Sequence, residues 1–356
     1  MDFAGTAVSL PPPAATAAEL PAGTGVAEQV RRSRADIAGV LDGRDDRLLV
    51  VVGPCSIHDP EAARTYAGRL RGIARELGDD LLVVMRTYFE KPRTTVGWAG
   101  LLTDPDLDGT ADLARGLRTA RRVLLDVAGL GLPAATEWLH PLAAAHLGDL
   151  VGYGAIGART VESQIHRQLA SALPMPVGMK NGTGGSLRVA VDAVIAAGAR
   201  HTFPWVGEDG SPTAVRSRGN PDAHVILRGG ADGPNYDQVW VNRLSRLLRE
   251  CGLPQRVVID ASHGNSGKSH ARQQRVAVEI AAQLAAGATA VRGVMLESFL
   301  LPGRQDAALE YGRSITDACM GWDDTADVLR VLASAVRARR RAGAVAAWME
   351  PTPMPV

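Results

Sequence analysis

The stretch that decides the fold is LLVVVGPCSIHDPEAARTYAGRLRGIARELGDDLLVVMR, residues 48–86. It contains two short apolar runs, Leu48–Gly53 and Leu81–Met85, on either side of a helical stretch, Pro60–Leu77. Neither run alternates between apolar and polar residues, as a strand with one solvent-facing side would. Both faces of each strand are therefore expected to be covered, and the stretch predicts a β–α–β unit of a parallel sheet.

The same pattern recurs from about residue 47 to residue 340. Six further apolar runs follow: Leu132–Thr136, Val151–Ile156, Val177–Met179, Val225–Leu227, Val257–Ile259 and Ala290–Met295. Helical stretches separate many of them: Thr110–Gly129, Val161–Ala172, Leu187–Ala197, Tyr236–Cys251 and Ser269–Gly287. Eight runs in this order favour an α/β fold of the (β/α)8 TIM-barrel type. A doubly wound open sheet is the alternative, but it usually has a glycine-rich turn after the first strand, where this chain has Gly-Pro-Cys-Ser.

The pattern divides the chain into three parts. Residues 1–46 form an N-terminal arm and helix, expected to serve oligomer contacts or regulation. The arm is rich in alanine and proline and is expected to be irregular to about residue 25, and helical spacing follows over Val26–Leu41. Residues 47–340 form the catalytic barrel, and residues 341–356 a flexible, proline-rich tail.

Composition excludes several functional classes for these 356 residues. With 39 Lys and Arg against 38 Asp and Glu, the net charge is +1, so no broad electrostatic attraction to nucleic acid or to an acidic membrane is expected. Three separated cysteines provide neither a CxxC motif nor a disulfide framework, and they suit a reducing compartment. The N-terminus lacks the features of a signal peptide, and no apolar run approaches the ~20 residues that span a bilayer. A cytoplasmic protein is predicted.

Polar residues follow every one of the eight runs, and in a barrel these positions meet at one face. One subset is cationic and predicts a pocket for phosphate, carboxylate or both: Arg86, Lys91, Arg93, Arg159, Lys180 and Arg228. The alternative for these cations is a set of ordinary salt bridges at the rim of the barrel.

A second subset combines sulfur, nitrogen and oxygen donors and suits a divalent Mn, Fe, Co or Zn ion: Cys55, His263, Glu297 and Asp317. No compact spacing motif supports a metal site. The alternative is that Cys55 is a small buried residue and that His263 is a hydrogen-bonded structural imidazole.

Eight motifs lie within about residues 25 to 340: GPCSIHDP, MRTYFEKPRTTVGW, GAIGART, PVGMKNGT, HVILRGG, IDASHGNS, GVMLES and SITDACMGW. In these motifs the chain resembles the type I 3-deoxy-D-arabino-heptulosonate 7-phosphate (DAHP) synthases, in their microbial feedback-regulated branch. The KPRTT block, residues 91–95, is specific, because the related 3-deoxy-octulosonate 8-phosphate synthases carry a different run there.

The resemblance implies condensation of phosphoenolpyruvate with erythrose 4-phosphate, the first step of the shikimate pathway. It implies a divalent metal on Cys55, His263, Glu297 and Asp317. It places the phosphate of phosphoenolpyruvate on Ala158, Arg159, Lys180 and Arg228, and the carboxylate and reacting end of that substrate on Arg86, Lys91 and Lys180. Arg93 and Thr94 would bind the aldose phosphate, and Glu137 would lie near the water that is consumed. The catalytic set is then Lys91, Glu137, Lys180 and His263.

Other functions remain open from the sequence. They are a synthase of the same mechanism with a changed aldehyde, a catalytically silent regulatory homologue, and a metal-dependent aldolase of another family. The resemblance also implies a homodimer or homotetramer inhibited by an aromatic amino acid. Pro174 and Trp205 stand where phenylalanine-sensitive members carry serines, so weak or absent inhibition by phenylalanine is expected. The alternative is that Trp205 merely packs against the arm.

Overall fold

Eight parallel strands close into a barrel in this computed structural model, which describes residues 5–306 and 310–349, with side chains described up to residue 342. The strands within these ranges are β1 (Leu48–Gly53), β2 (Leu81–Arg86), β3 (Ala134–Glu137), β4 (Tyr153–Ile156), β5 (Val177–Lys180), β6 (Thr202–Val206), β7 (Pro212–Arg216), β8 (His224–Leu227), β9 (Val257–Asp260) and β10 (Val291–Glu297). The order around the barrel is β1-β2-β3-β4-β5-β8-β9-β10, and β10 pairs with β1. Each of the eight predicted runs coincides with a barrel strand. The predicted (β/α)8 barrel is confirmed, and the open sheet is excluded.

The helices lie between the strands and at both ends of the chain. They are α1 (Pro13–Glu19), α2 (Thr24–Asp42), α3 (Pro60–Glu76), α4 (Leu113–Gly129), α5 (Pro141–Leu147), α6 (Gln164–Ala172), α7 (Leu187–Gly198), α8 (Gln238–Glu250), α9 (His263–Ser266), α10 (His270–Ala285) and α11 (Trp322–Met349). Several begin with a side-chain cap. The Asp59 carboxylate, for example, accepts from the backbone N–H groups of Glu61 and Ala62 and starts α3.

The strands are buried on both faces, as their uninterrupted apolar runs predict. In β1, Leu48, Val50 and Val52 belong to the core between the barrel and its helices. Leu49 and Val51 point the other way, into a second cluster that fills the barrel interior. The barrel is therefore a packed core, and any ligand must bind at its ends.

Helix α2 closes the amino-terminal end of the barrel. Its residues Ile37, Val40 and Leu41 are fully buried in the interior cluster, alongside the inward side chains of the strands. The Arg34 guanidinium fixes the helix by donating to the carbonyl oxygens of Gly148 and Val151, just before β4, at 2.6 and 3.0 Å. This leaves the carboxyl ends of the strands as the open face.

Some expectations about the ends of the chain are corrected. The arm is not irregular throughout, because residues 13–19 form α1, and the Thr16 hydroxyl lies 3.2 Å from Nδ1 of His146. At the other end α11 continues past residue 341 to Met349, so the expected tail begins as helix, and its residues 350–356 lie outside the described residues. The division into three domains stays a prediction.

One antiparallel hairpin, β6 and β7, is absent from the predicted elements. It projects from the connection between β5 and β8, and its turn contacts the arm, where the Ala14 N–H donates to the Glu208 carbonyl at 2.8 Å. Among the described residues, no helix combines the length and the apolar character that crossing a membrane requires.

Candidate active site

A cavity of about 180 Å³ opens at the carboxyl ends of the barrel strands. Twelve of the thirteen residues predicted for the site line it: Cys55, Arg86, Lys91, Arg93, Thr94, Glu137, Ala158, Arg159, Lys180, Arg228, His263 and Asp317. The thirteenth, Glu297, is buried next to the cavity at the end of β10 and accepts from Arg86 Nη2 at 3.0 Å. The structure therefore brings the whole predicted set to one place.

Three of the four predicted metal ligands form a tight cluster. The ligand atoms of Cys55, Glu297 and Asp317 all lie within 4.8 Å of one another. His263 lies just outside this cluster, and its Nε2 is 3.6 Å from Oε1 of Glu297. Its φ of +54° is a left-handed conformation that is rare for a side-chain-bearing residue, and its Nδ1 contacts Asp260 Oδ2 at 2.8 Å.

The donor set fits a divalent cation, because one thiol and two carboxylates surround a common point and an imidazole stands beside them. The Lys91 ammonium shows that a positive charge is accommodated there. Its Nζ lies 2.9 Å from Cys55 Sγ and 2.8 Å from Asp317 Oδ2. Burial lowers the pKa of Lys91, but the surrounding negative charges outweigh burial and raise it above its ordinary value.

Asp260 is one of the polar residues expected at the strand ends, but the sequence prediction gave it no role in the site. It is fully buried at the end of β9 and accepts from Lys180 Nζ at 2.9 Å, while its Oδ2 lies 2.8 Å from His263 Nδ1. Burial raises the pKa of Asp260, but His263 and Lys180 outweigh that effect and hold it well below its usual range. This carboxylate therefore orients a predicted ligand and a predicted catalytic lysine. Its position at a strand end was the available signal.

The six cations fall into two groups. Arg86, Lys91 and Lys180 pair with acids that belong to the site itself: Glu297, Asp317 and Asp260. Arg93, Arg159 and Arg228 pair with no acid among the described residues; their contacts are Trp98 O at 2.8 Å, Thr94 Oγ1 at 3.3 Å and Gly229 O at 3.4 Å. Salt bridges at the rim therefore do not account for the set, and three guanidiniums keep donors for an anion.

Buried amide side chains and small residues position Arg228. Its backbone N–H donates to Asn181 Oδ1 at 2.8 Å, and the next N–H, of Gly229, donates to Asn235 Oδ1 at 2.7 Å. Gly229 has a φ of +73°, and a Cβ there would lie 2.4 Å from the backbone of Gly264. Only glycine fits this turn, which carries Arg228 to the cavity.

Two glutamates also line the cavity. Glu137 ends β3 and packs against Gly157, where a Cβ would lie 2.1 Å from its Oε1. Glu90, which the sequence prediction did not include, accepts from the His140 backbone N–H, 3.2 Å from both oxygens. Burial, with a further contribution from the Glu137 charge, raises the pKa of Glu90 to about 7. The site thus holds one carboxyl that titrates near neutrality.

Glu90→Gln should make the stability of the protein less dependent on pH. Glu90 keeps its proton to about pH 7 in the folded chain, against an ordinary pKa of 4.5. Because the folded state binds the extra proton, the free energy of unfolding should fall as pH rises through this window, by up to about 3 kcal/mol. Because glutamine does not titrate, the Glu90→Gln protein should not show this fall in the free energy of unfolding.

Urea unfolding at several pH values between 4.5 and 7 measures this effect. The exposed Glu250, which does not line the cavity, provides a matched control, and Glu250→Gln should keep the pH dependence of the wild type. Equal pH slopes for Glu90→Gln and the wild type would contradict the assignment.

Comparison with known proteins agrees with this geometry. Residues 24–330 match the model of the DAHP synthetase I family. The Phe-sensitive phospho-2-dehydro-3-deoxyheptonate aldolase of Escherichia coli K12 is 51% identical over 92% of this chain and 95% of its own length. The Trp-sensitive enzyme of Enterobacter agglomerans is 52% identical over 93% of this chain and 96% of its own. The solved structure of phospho-2-dehydro-3-deoxyheptonate aldolase from Francisella tularensis superposes with a TM-score of 0.93 at 44% identity, covering 95% of this chain and all of that one.

The fold and the cavity define a TIM-barrel enzyme that handles anionic substrates beside a candidate metal site. The chain belongs to the DAHP synthetase I family. Membership of this family identifies the chain as a DAHP synthase, the enzyme that catalyses the first step of aromatic amino acid biosynthesis.

Proposed function

We propose that this chain is a metal-dependent transferase that condenses phosphoenolpyruvate with erythrose 4-phosphate and water, giving DAHP and inorganic phosphate. One observation carries the proposal: a single cavity contains a thiol–carboxylate cluster and three guanidiniums that pair with no acid among the described residues. Phosphoenolpyruvate carries close to three negative charges, so fixed cations offset its desolvation. Cys55, His263, Glu297 and Asp317 would hold a Mn, Fe, Co or Zn ion.

Arg159, Lys180 and Arg228, with the backbone at Ala158, would bind the phosphate of phosphoenolpyruvate. Arg159 and Arg228 support this role because both line the cavity without an acidic partner among the described residues. Lys91 and Arg86 would meet the carboxylate and the reacting end. Arg86 is buried and donates from Nη2 to Glu297, while its Nη1 lies 3.3 Å from the Met295 thioether, a weak acceptor.

Arg93 and Thr94 would bind the phosphate of the aldose. Thr94 Oγ1 lies 3.3 Å from Arg159 Nη2, so the two phosphate sites would be neighbours on one wall of the cavity. This arrangement would hold C3 of phosphoenolpyruvate beside the aldehyde carbon. It would therefore lower the entropic cost of bringing the two reacting carbons together.

The reaction forms the C3–aldehyde carbon bond, adds water at C2 and expels phosphate by C–O cleavage. A divalent ion, when bound, would supply Lewis acidity at the aldehyde oxygen. Lys91 would donate a proton to the new hydroxyl, and the position of its ammonium in the cavity among the proposed ligands supports this role. Glu137 would orient or deprotonate the water, and Lys180, fixed by Asp260, would hold the phosphoenolpyruvate.

The test is to mix purified protein with Mn²⁺ and both phosphates and to follow loss of the enol absorbance and release of phosphate. Equal amounts of the two, dependent on erythrose 4-phosphate, are expected. A panel of other aldoses is the control, and turnover with one of those but none with erythrose 4-phosphate would contradict the proposal.

Inhibition by phenylalanine should be weak or absent, with another aromatic effector or none in its place. Relatives of almost equal identity are named Phe-sensitive and Trp-sensitive, so overall similarity does not choose the effector. Pro174 has no backbone N–H, and Trp205 adds bulk where serine would offer a hydroxyl. Trp205 is half-buried in β6 and packs edge-to-face on Phe203, with ring centroids 6.1 Å apart.

Titration of phenylalanine, tyrosine and tryptophan separately into the assay measures this selectivity. The double variant Pro174→Ser, Trp205→Ser should gain inhibition by phenylalanine, because it restores both polar groups. Strong inhibition of the wild type by micromolar phenylalanine would show that these two positions do not control the effector.

A further inference from the structure

A second cavity lies at the opposite end of the barrel from the candidate active site. It has a volume of about 300 Å³ and lies where α2 ends and where β9 and β10 begin. Most of its lining side chains are polar: Asp42, Gln255, Arg256, Thr289 and Arg292. We call it the basal cavity.

In two arginines of the basal cavity, the Nε–H group has no hydrogen-bond acceptor among the described residues. The Nε atoms of Arg256 and Arg292 are both buried, and nothing in the described part of the chain accepts from them. Arg256 still donates through its other nitrogens to Asp42 and to the Pro221 carbonyl, the latter at 2.8 Å. Arg292 makes neither a hydrogen bond nor an ion pair with any described residue. A buried N–H group without a partner is costly, so native structures normally supply an acceptor.

The nearby aspartates, Asp42 and Asp222, do not accept hydrogen bonds from the Nε atoms of these two arginines. The two carboxylate oxygens of Asp42 already accept from Arg256 and from Arg44, the latter at 3.0 Å. Asp222 lies 3.6 Å from Nη1 of Arg256. Burial, together with the charge of Arg256, lowers the pKa of Arg292, as expected for a cation next to another cation. The lining of the cavity thus holds two arginines and one aspartate, and positive charge is in excess.

We infer that the basal cavity binds a small oxyanion of phosphate or carboxylate chemistry, held by Arg292 and Arg256. A guanidinium presents its N–H groups as a planar fork that matches two oxygens of such a group. The volume suits a small metabolite, and the polar lining disfavours an apolar ligand. The site is separate from the catalytic cavity, because no residue lines both.

A simpler role for Arg292 is to stabilise the end of α2. Its guanidinium lies against Gly43, where a Cβ would be 2.6 Å from Nη2, and a cation near a helix carboxyl end is favourable. In that case its loss would lower the melting temperature equally with and without an anion. The binding proposal instead requires the anion to stabilise a parent protein that carries Arg159→Ala and Arg228→Ala, and not the same protein with Arg292→Gln added.

Calorimetric titration with inorganic phosphate and with malonate tests the inference. Every protein in the set carries Arg159→Ala and Arg228→Ala, so that binding at the catalytic cavity is weakened. Arg292→Gln should raise the dissociation constant at least about tenfold. Arg71→Gln, an exposed arginine of α3 outside the cavity, is the matched control and should leave binding unchanged. The anion that binds distinguishes phosphate from carboxylate chemistry.

Asp42→Asn provides an independent test in the opposite direction. It removes the carboxylate that competes for Arg256, so the anion should bind several-fold more tightly. The inference is overturned if neither anion binds the protein with Arg292 intact, or if Arg292→Gln keeps the parent affinity. It is also overturned if Asp42→Asn does not tighten binding. The same holds if Arg292→Gln lowers the melting temperature by the same amount with and without the anion.

Discussion

Cys55→Ala should lose its metal and, with it, nearly all turnover. Among the described residues, the Cys55 thiol is one of three donors in the tight cluster, and alanine leaves two carboxylates, of which Asp317 pairs with Lys91 at 2.8 Å. Loss of an outer hydrogen-bond partner costs metal sites about ten- to a hundredfold, so loss of a direct ligand should exceed this range. Metal content after dialysis measures binding without reference to activity. In the cobalt-loaded protein, the thiolate-to-metal absorption band should also be missing.

Cys251→Ala is the matched control, because Cys251 lies at the end of α8 and does not line the cavity. It should keep the metal content and activity of the wild type. Cys319 is unsuitable, since its Sγ accepts from the Cys55 backbone N–H at 3.4 Å. Treating the wild type with a chelator should abolish activity, and Mn²⁺, Co²⁺ or Fe²⁺ should restore it. Full activity in the chelated enzyme would refute the metal proposal.

Arg159→Ala and Arg228→Ala should raise the KM for phosphoenolpyruvate far more than the KM for erythrose 4-phosphate. Neither guanidinium pairs with an acid among the described residues, so its donors are free for the substrate phosphate. One charge-assisted contact of this kind contributes roughly 1.5–3 kcal/mol, which is about ten- to a hundredfold in KM. Arg93→Ala should do the reverse. Steady-state kinetics with each substrate varied in turn gives both constants.

Arg188→Ala controls for the loss of a positive charge. Arg188 is exposed on α7, pairs with Asp192 at 2.8 Å and lies outside the cavity, so both KM values should stay within about twofold. Equal effects of Arg159→Ala and Arg93→Ala on the two substrates would mean that the two phosphate sites are wrongly divided. That result would leave the metal proposal untouched.

The barrel strands could be predicted because their signal is local. Leu48–Val52 and Leu81–Met85 are apolar without alternation, and the structure buries both faces of β1 and β2. The hairpin of β6 and β7 was missed because its strands TFPWV and PTAVR are mostly exposed and each contains a proline. Helix α1 was missed because the prolines before it suggested irregular chain, although Pro13 occupies the first turn, which tolerates it.

For the site, the sequence by itself determined which residue types stand at the strand ends, because strand direction fixes which end each residue occupies. The tertiary structure alone decided which of them meet. Cys55, Glu297 and Asp317 come together only because β10 closes the barrel against β1, and Asp260 reaches Lys180 across 80 positions of sequence. The ordinary-looking Glu90 acquires its raised pKa from burial beside Glu137, an environment that neither segment encodes locally. The sequence specifies the chemical identity of each site residue. The distances between these residues and their desolvation arise from contacts between segments that are far apart along the chain.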